Sequence, residues 1–332
     1  MNTPLNELQL KNESQAMINL PRCKYPSSMD KPNHGIQRLP ETLPLIDLSS
    51  AQKYRSTIYT PLSIKSFDSL RILELSRIIA NSFVEKEPMN RHLVPPEEFS
   101  KDILNLIHTD PLGSHHFGQW TKENIFFWFI RLMVLTDASS PLHNIRLNED
   151  LFNLSLAIQD DNGKLIGGAY NIPLVSNQEE NLQRTNDPFI EAIGPFIEPP
   201  LSLIIEQEHI AIKYLYEKYP SFKSAHEDGK VGCHFLVART NALPVVDTFE
   251  LVAASAERFI NFGYRYLVIS ATNEWTGAAC EVLGGLRVHF APYRAEKKVK
   301  ESKNARTEEV HSPDGFLSDK DSGSMFYIIK LQ

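Results

Sequence analysis

From Ser69 the apolar residues Leu70, Leu73, Ile78, Ile79 and Phe83 recur at helical spacing, which predicts a helix that ends before Pro88. Two further helical patterns follow, over Pro96–Ile107 and from Thr121, a side chain suited to an N-cap, to about Leu135. The period then changes. Phe152, Leu154, Leu156 and Ile158 alternate with Asn153, Ser155, Ala157 and Gln159, the pattern of a strand with one buried face. Asp161-Asn162-Gly163 is a tight turn, and Lys164–Ile172 returns as the second arm of a hairpin.

An amphipathic helix is expected over Leu201–Tyr219, followed by a strand at Cys233–Arg239 and a helix at Pro244–Phe262 stopped by Gly263. A strand at Tyr264–Ala271 and a helix at Asn273–Leu283 come next, and strands at Leu286–Tyr293 and Ser324–Leu331 close the order. Residues 1–60 are rich in Pro, Ser and Asn without a sustained period, and read as an N-terminal extension that drapes over a domain spanning 61–332 or stays partly mobile. Residues 296–323 are charged and poor in apolar side chains, the pattern of a loop insertion.

With 332 residues, 42% of them hydrophobic, the chain can bury a sizeable core. Its 41 acidic against 34 basic residues give a net charge of −7, which argues against broad nucleic-acid binding. The start of the chain lacks a cationic segment leading into an apolar run, so a cytoplasmic location is expected. The apolar stretch Ile125–Leu135 is interrupted by Arg131 and is far shorter than the roughly 20 residues that span a bilayer, so it reads as a buried helix rather than a membrane anchor. Cys23, Cys233 and Cys280 are too few and too scattered for a disulfide framework or a Cys-x-x-Cys site. Glu206 and His209 have a Glu-x-x-His spacing without matching ligands in a neighbouring helix pattern, and no metal is expected. No nucleophile elbow, Walker loop or dinucleotide fingerprint is present.

The junction after the Cys233–Arg239 strand carries no glycine between Gly232 and Gly263. Asp247 and Glu250 have the spacing of a capping box, in which two carboxyl side chains satisfy the first free N–H groups of a helix. Such a helix start is filled where another would take a phosphate.

Three local texts then carry a resemblance: Ser82–Asn90 (SFVEKEPMN), Leu165–Asn171 (LIGGAYN) and Ala271–Val288 (ATNEWTGAACEVLGGLRV). Together with the element order, they resemble the GCN5-related N-acetyltransferase (GNAT) family, and the first is similar to the run that ends the first helix of insect-type arylalkylamine N-acetyltransferases. The resemblance implies an α/β (α+β) fold with a central mixed, mostly antiparallel sheet flanked by helices. It implies an acyltransferase that takes an acyl group from acyl-CoA or acetyl-CoA to an amine of a small molecule or peptide. Glu87 then takes the ammonium proton, backbone near Val237 or Ala238 meets the oxyanion, and Val246 and Asn273 lie along the donor. The chain departs from the family at the glycine-rich pyrophosphate loop, where it reads LPVVDT (Leu243–Thr248), and at the tyrosine of the fourth helix, where Cys280 or Glu281 is the available proton donor. Without a glycine cradle, an acyl carrier protein is an alternative donor. A non-catalytic protein of the same fold that binds a partner or ligand is the alternative to an enzyme.

Overall fold

A computed structural model of the chain describes residues 35–52, 62–63, 69–86, 121–135, 153–160, 162–174, 188–240, 247–292 and 323–332. The helix expected at 96–107 and most of the insertion expected at 296–323 lie outside these residues, as do Glu87 and Val246.

Seven helices are described: α1 (Leu48–Gln52), α2 (Ser69–Lys86), α3 (Lys122–Leu135), α4 (Pro188–Lys218), α5 (Pro220–Glu227), α6 (Asp247–Asn261) and α7 (Glu274–Val282). The strands are β1 (Leu62–Ser63), β2 (Leu156–Gln159), β3 (Leu165–Pro173), β4 (Val231–Arg239), β5 (Tyr266–Ala271), β6 (Leu286–Pro292) and β7 (Gly323–Lys330). They form one sheet in the order β1-β2-β3-β4-β5-β7-β6. Every neighbouring pair is antiparallel except β4 and β5, which run parallel. The sheet is thus mixed and mostly antiparallel, as expected.

Two apolar clusters cover its faces. On one face α6 and α7 place Phe249, Val252, Phe259, Ala279 and Leu283 over Leu267, Ile269, Tyr327 and Ile329. On the other, Ala211 and Leu215 of α4 and Phe222 of α5 lie over Cys233, Val268, Phe326 and Ile328. Gly232 lets Phe259 seat directly on β4, since a Cβ there would stand 2.3 Å from the ring.

Three elements differ from the sequence expectation. The first hairpin arm begins at Leu156, and Ala157 is as buried as Leu156 and Ile158. Helices cover both faces at this point, so the alternation does not mark a solvent side. Helix α4 begins at Pro188, well before Leu201, although it contains Pro195, Pro199 and Pro200. Helix α5 has no counterpart in the sequence expectation, which ends the preceding helix at Tyr219 and resumes at Cys233. Tyr219 is extended (φ −126°) and Pro220 opens a new helix, the position where a missing N–H costs nothing.

Residues 35–47 pack against the sheet. The Gln37 N–H donates to the Val288 carbonyl at 2.9 Å, and Ile46 N–H to Lys330 at 2.9 Å. Leu39 and Leu43 are buried in the α4-side cluster. Gly35 makes the closest approach at φ +73°, where a Cβ would meet the Phe290 carbonyl oxygen at 2.1 Å.

Candidate functional site

Strand β4 is held by β5 only over its first four residues, from Val231 opposite Tyr266 to His234 opposite Ile269. Beyond that point β5 continues as Ser270 and Ala271, paired with Phe326 and Met325 of β7, while β4 continues to Arg239 against β3. The two strands therefore part, and a gap opens in the middle of the sheet. Its cause is local. Leu236 faces Tyr170 of β3 and His234 faces Asn171, so Phe235 is an extra residue, a bulge placed directly after the last β4–β5 pair. A bulge bends its strand and increases the twist.

A mostly antiparallel sheet with one parallel pair and a bulge at its parting strand defines the fold class. The fold is GNAT-like.

Hydrogen-bond alternation decides which β4 amide faces this gap. Thr240 N–H donates to the Ile166 carbonyl at 2.7 Å, and the β3–β4 register is unbroken from Arg239 back to Leu236. Antiparallel residues alternate between bonded and non-bonded pairs, so Ala238 points its N–H at β3 and Val237 points its own away from β3, toward the gap. Of the two residues expected to meet an oxyanion, Val237 turns its N–H toward the gap and Ala238 keeps its own in the ladder.

On the α4 face, Ser270 donates its hydroxyl to Oε1 of Glu208 at 2.9 Å. Burial pushes the Glu208 carboxyl above the usual carboxylate range, while the serine hydrogen bond pulls it the other way. Burial, followed by the Glu208 charge, pushes the Cys233 thiol well above its ordinary value, which keeps it protonated and poorly nucleophilic. Glu208 escaped sequence reading because it lies between Glu206 and His209, both exposed on α4, and gains meaning only from Ser270. Among the described residues no three His, Cys, Asp or Glu side chains gather as a metal site. None of the described helices is long and apolar enough to cross a membrane.

On the α6 face a neutral network lies under the gap. Asn171 is fully buried and donates from Nδ2 to the Leu154 carbonyl (2.9 Å) and to Ser255 Oγ (3.0 Å). Its Oδ1 meets Nδ1 of His234 at 2.8 Å. That contact assigns the proton to Nδ1 and leaves Nε2 bare, with no partner among the described residues. Burial pushes the His234 pKa down to about 4. The folded pKa lies below the ordinary value near 6.5, so the unfolded chain takes up the proton first and folding stability falls as pH drops through that window, by roughly 3 kcal/mol in all. Urea unfolding between pH 7.5 and 4 checks this: His234→Gln should flatten the fall, and an unchanged slope would assign it to other groups.

The remaining candidates are placed as follows. Cys280 on α7 is a fully buried thiol within the α6–α7 cluster. Glu281 is exposed and accepts a hydrogen bond from the Tyr327 hydroxyl at 2.9 Å. Asn273 is the N-cap of α7, its Oδ1 accepting from the Thr276 N–H at 3.0 Å. Asp247 is the first described residue of α6, and Glu250 is buried in the same first turn. Phe126 and Phe127 are core residues of α3, with the Arg77 guanidinium 3.9 Å from the Phe127 ring centroid.

No family model and no curated protein matches the chain. Among solved structures, it is similar to arylalkylamine N-acetyltransferase 2 from Aedes aegypti, with 14% identity over 82% of this chain and 98% of that one, at a TM-score of 0.43. A putative arylalkylamine N-acetyltransferase 7 from the yellow fever mosquito gives 11% identity over 93% and 100%, at 0.47. The C-terminal condensation domain of Ebony in complex with beta-alanyl-dopamine gives 12% over 82% and 98%, at 0.43. Strand order, the single parallel pair and the bulge, rather than these distant likenesses, define the fold of this chain.

Proposed function

We propose that the protein is an acyltransferase that moves an acyl group from a thioester donor to an amine of a small molecule or peptide. The observation that carries this reading is the parting of β4 from β5 with the Val237 N–H directed into the gap. A thioester carbonyl placed there turns its oxygen toward that donor as charge develops on it. The amine nitrogen attacks the carbonyl carbon, the C–S bond breaks and the thiolate leaves. Glu87, which follows the last residue of α2, takes the proton lost by the ammonium. A proton then returns to sulfur. Cys280 and Glu281 were the two sequence candidates for this; full burial of Cys280 favours Glu281 or solvent as its source.

The donor is acyl-CoA or an acyl carrier protein. A glycine-free junction and two carboxyl residues in the first turn of α6 weigh against tight pyrophosphate binding, because N-terminal N–H groups attract anions and adjacent carboxylates repel them. A phosphopantetheine arm on a carrier avoids the adenine and pyrophosphate altogether, while Val237 and Asn273 still border its path. Calorimetric titration with acetyl-CoA and longer acyl-CoAs, followed by transfer assays with loaded carrier protein, separates the two. Micromolar acyl-CoA binding with transfer to amines is expected if the nucleotide is accommodated. Transfer from the carrier alone points to the second donor. No turnover from either overturns the enzymatic reading in favour of a non-catalytic binding protein of this fold.

A further inference from the structure

Ser270 is the first residue of β5 beyond its last contact with β4, and its side chain lies on the α4 face. Glu208 reaches this point from α4, so a carboxylate stands at the root of the gap. Its surroundings are apolar or neutral: Cys233 and Phe235 belong to the cluster under α4, together with Ala211 and Leu215. Among the described residues no Lys, Arg or His pairs with it; the ion pairs found there are Lys223–Glu227 and Arg265–Asp228, both exposed. Glu208 is half-buried, and a partly desolvated carboxylate without a counter-charge among the described residues is stabilised when a cation arrives. A metal ion is a poor candidate, since the one neighbouring ligand group, the Cys233 thiol, is held protonated and no third ligand is near.

We propose that Glu208, oriented by Ser270, binds the ammonium group of the acceptor and makes the site selective for cationic primary amines entering from the α4 face. The proposal rests on the acyltransferase reading for its acceptor, but not for its chemistry. On the α6 face His234, Asn171 and Ser255 form a neutral network at pH 7, and the carboxyl group of Glu250 is buried in the first turn of α6. An uncharged thioester arm suits the neutral network and an ammonium suits the side of Glu208. Oε1 is held by Ser270, and the second oxygen remains for the ligand. Glu208 acts here on the ground state of the acceptor; the proton transfer stays with Glu87.

The test uses the full chain, 2-phenylethylamine and butylamine as probes, and 2-phenylethanol as the neutral isostere. Loss of a hydrogen bond to a charged group predicts that Glu208→Gln raises the KM for both amines by about 10- to 100-fold with kcat nearly unchanged. Calorimetry without donor should show 2-phenylethylammonium binding to the wild type, lost in the Gln variant, and no discrimination by that variant between amine and alcohol. Ser270→Ala should raise KM by a smaller factor of about 3 to 10. The melting temperature of Glu208→Gln should be equal to or above that of the wild type, because an amide removes a partly desolvated charge that has no counter-charge among the described residues; a purely structural carboxylate gives a lower one. Unaltered KM and amine affinity in Glu208→Gln overturn the proposal while leaving acyl transfer intact. Conversely, ammonium binding that depends on Glu208 in a protein that acylates no amine keeps the cation site and removes the acyltransferase reading. Failure of the wild type to bind either amine overturns the proposal.

Discussion

Replacing the Val237 amide by an ester, through incorporation of the corresponding α-hydroxy acid, should lower kcat by about 10²- to 10³-fold and leave the melting temperature nearly unchanged, the cost of losing one preorganised oxyanion donor. The expectation follows from the register. Val237 pairs with Ala169 as a non-bonded pair, so its N–H does not support the β3–β4 ladder. Removing that N–H therefore takes away a donor to the gap without removing a strand bond. The same exchange at Ala238 has the opposite signature. It deletes a ladder hydrogen bond to Gly168 between two buried strands, and should lower the stability by about 1–2 kcal/mol while sparing more of the rate. Equal rate losses at the two positions would show that Val237 has no special part in the reaction. Both measurements are needed, because a strand that is merely loosened loses activity and stability together.

Much of this architecture was legible from period alone. Leu70 to Phe83 spell α2, and the strand-helix-strand-helix succession after Cys233 is observed with boundaries within about three residues. What escaped was written in relations between distant residues. The bulge at Phe235 is one unmatched residue between β3 and β4, and nothing in the text around it marks the mismatch. Glu208 and Ser270 stand 62 residues apart, and only the packing of α4 on the sheet makes them a pair. Prolines stand near both helix limits that differ from the expectation. Pro195, Pro199 and Pro200 lie within α4, which extends N-terminally past them, whereas Pro220 starts α5 rather than merely ending a helix. Asn273, expected along the donor, caps α7 through its hydrogen bonds from Thr276.

Glu87→Gln is expected to reduce kcat by about 10²- to 10⁴-fold at pH 7, the usual contribution of a positioned general base, with an unchanged melting temperature. The acceptor explains why the effect should be large. A primary ammonium has a pKa near 10, so at pH 7 only about one molecule in a thousand is the free nucleophile, and a carboxylate that takes the proton in place multiplies the reactive fraction. The pH profile separates this role from simple damage. In the variant the rate should climb about tenfold for each pH unit between 7 and 9, as solvent supplies more free amine, and approach the wild-type rate near the amine pKa. A uniformly low rate at all pH values would instead mean a disturbed site. The substitution also divides the labour of two carboxylates: Glu87→Gln should act on kcat and be rescued by alkali, whereas Glu208→Gln should act on KM for charged acceptors. If Glu87→Gln retains full activity at pH 7, the proton leaves by another route, and Glu208, held by Ser270 at the root of the gap, becomes the group to examine for it.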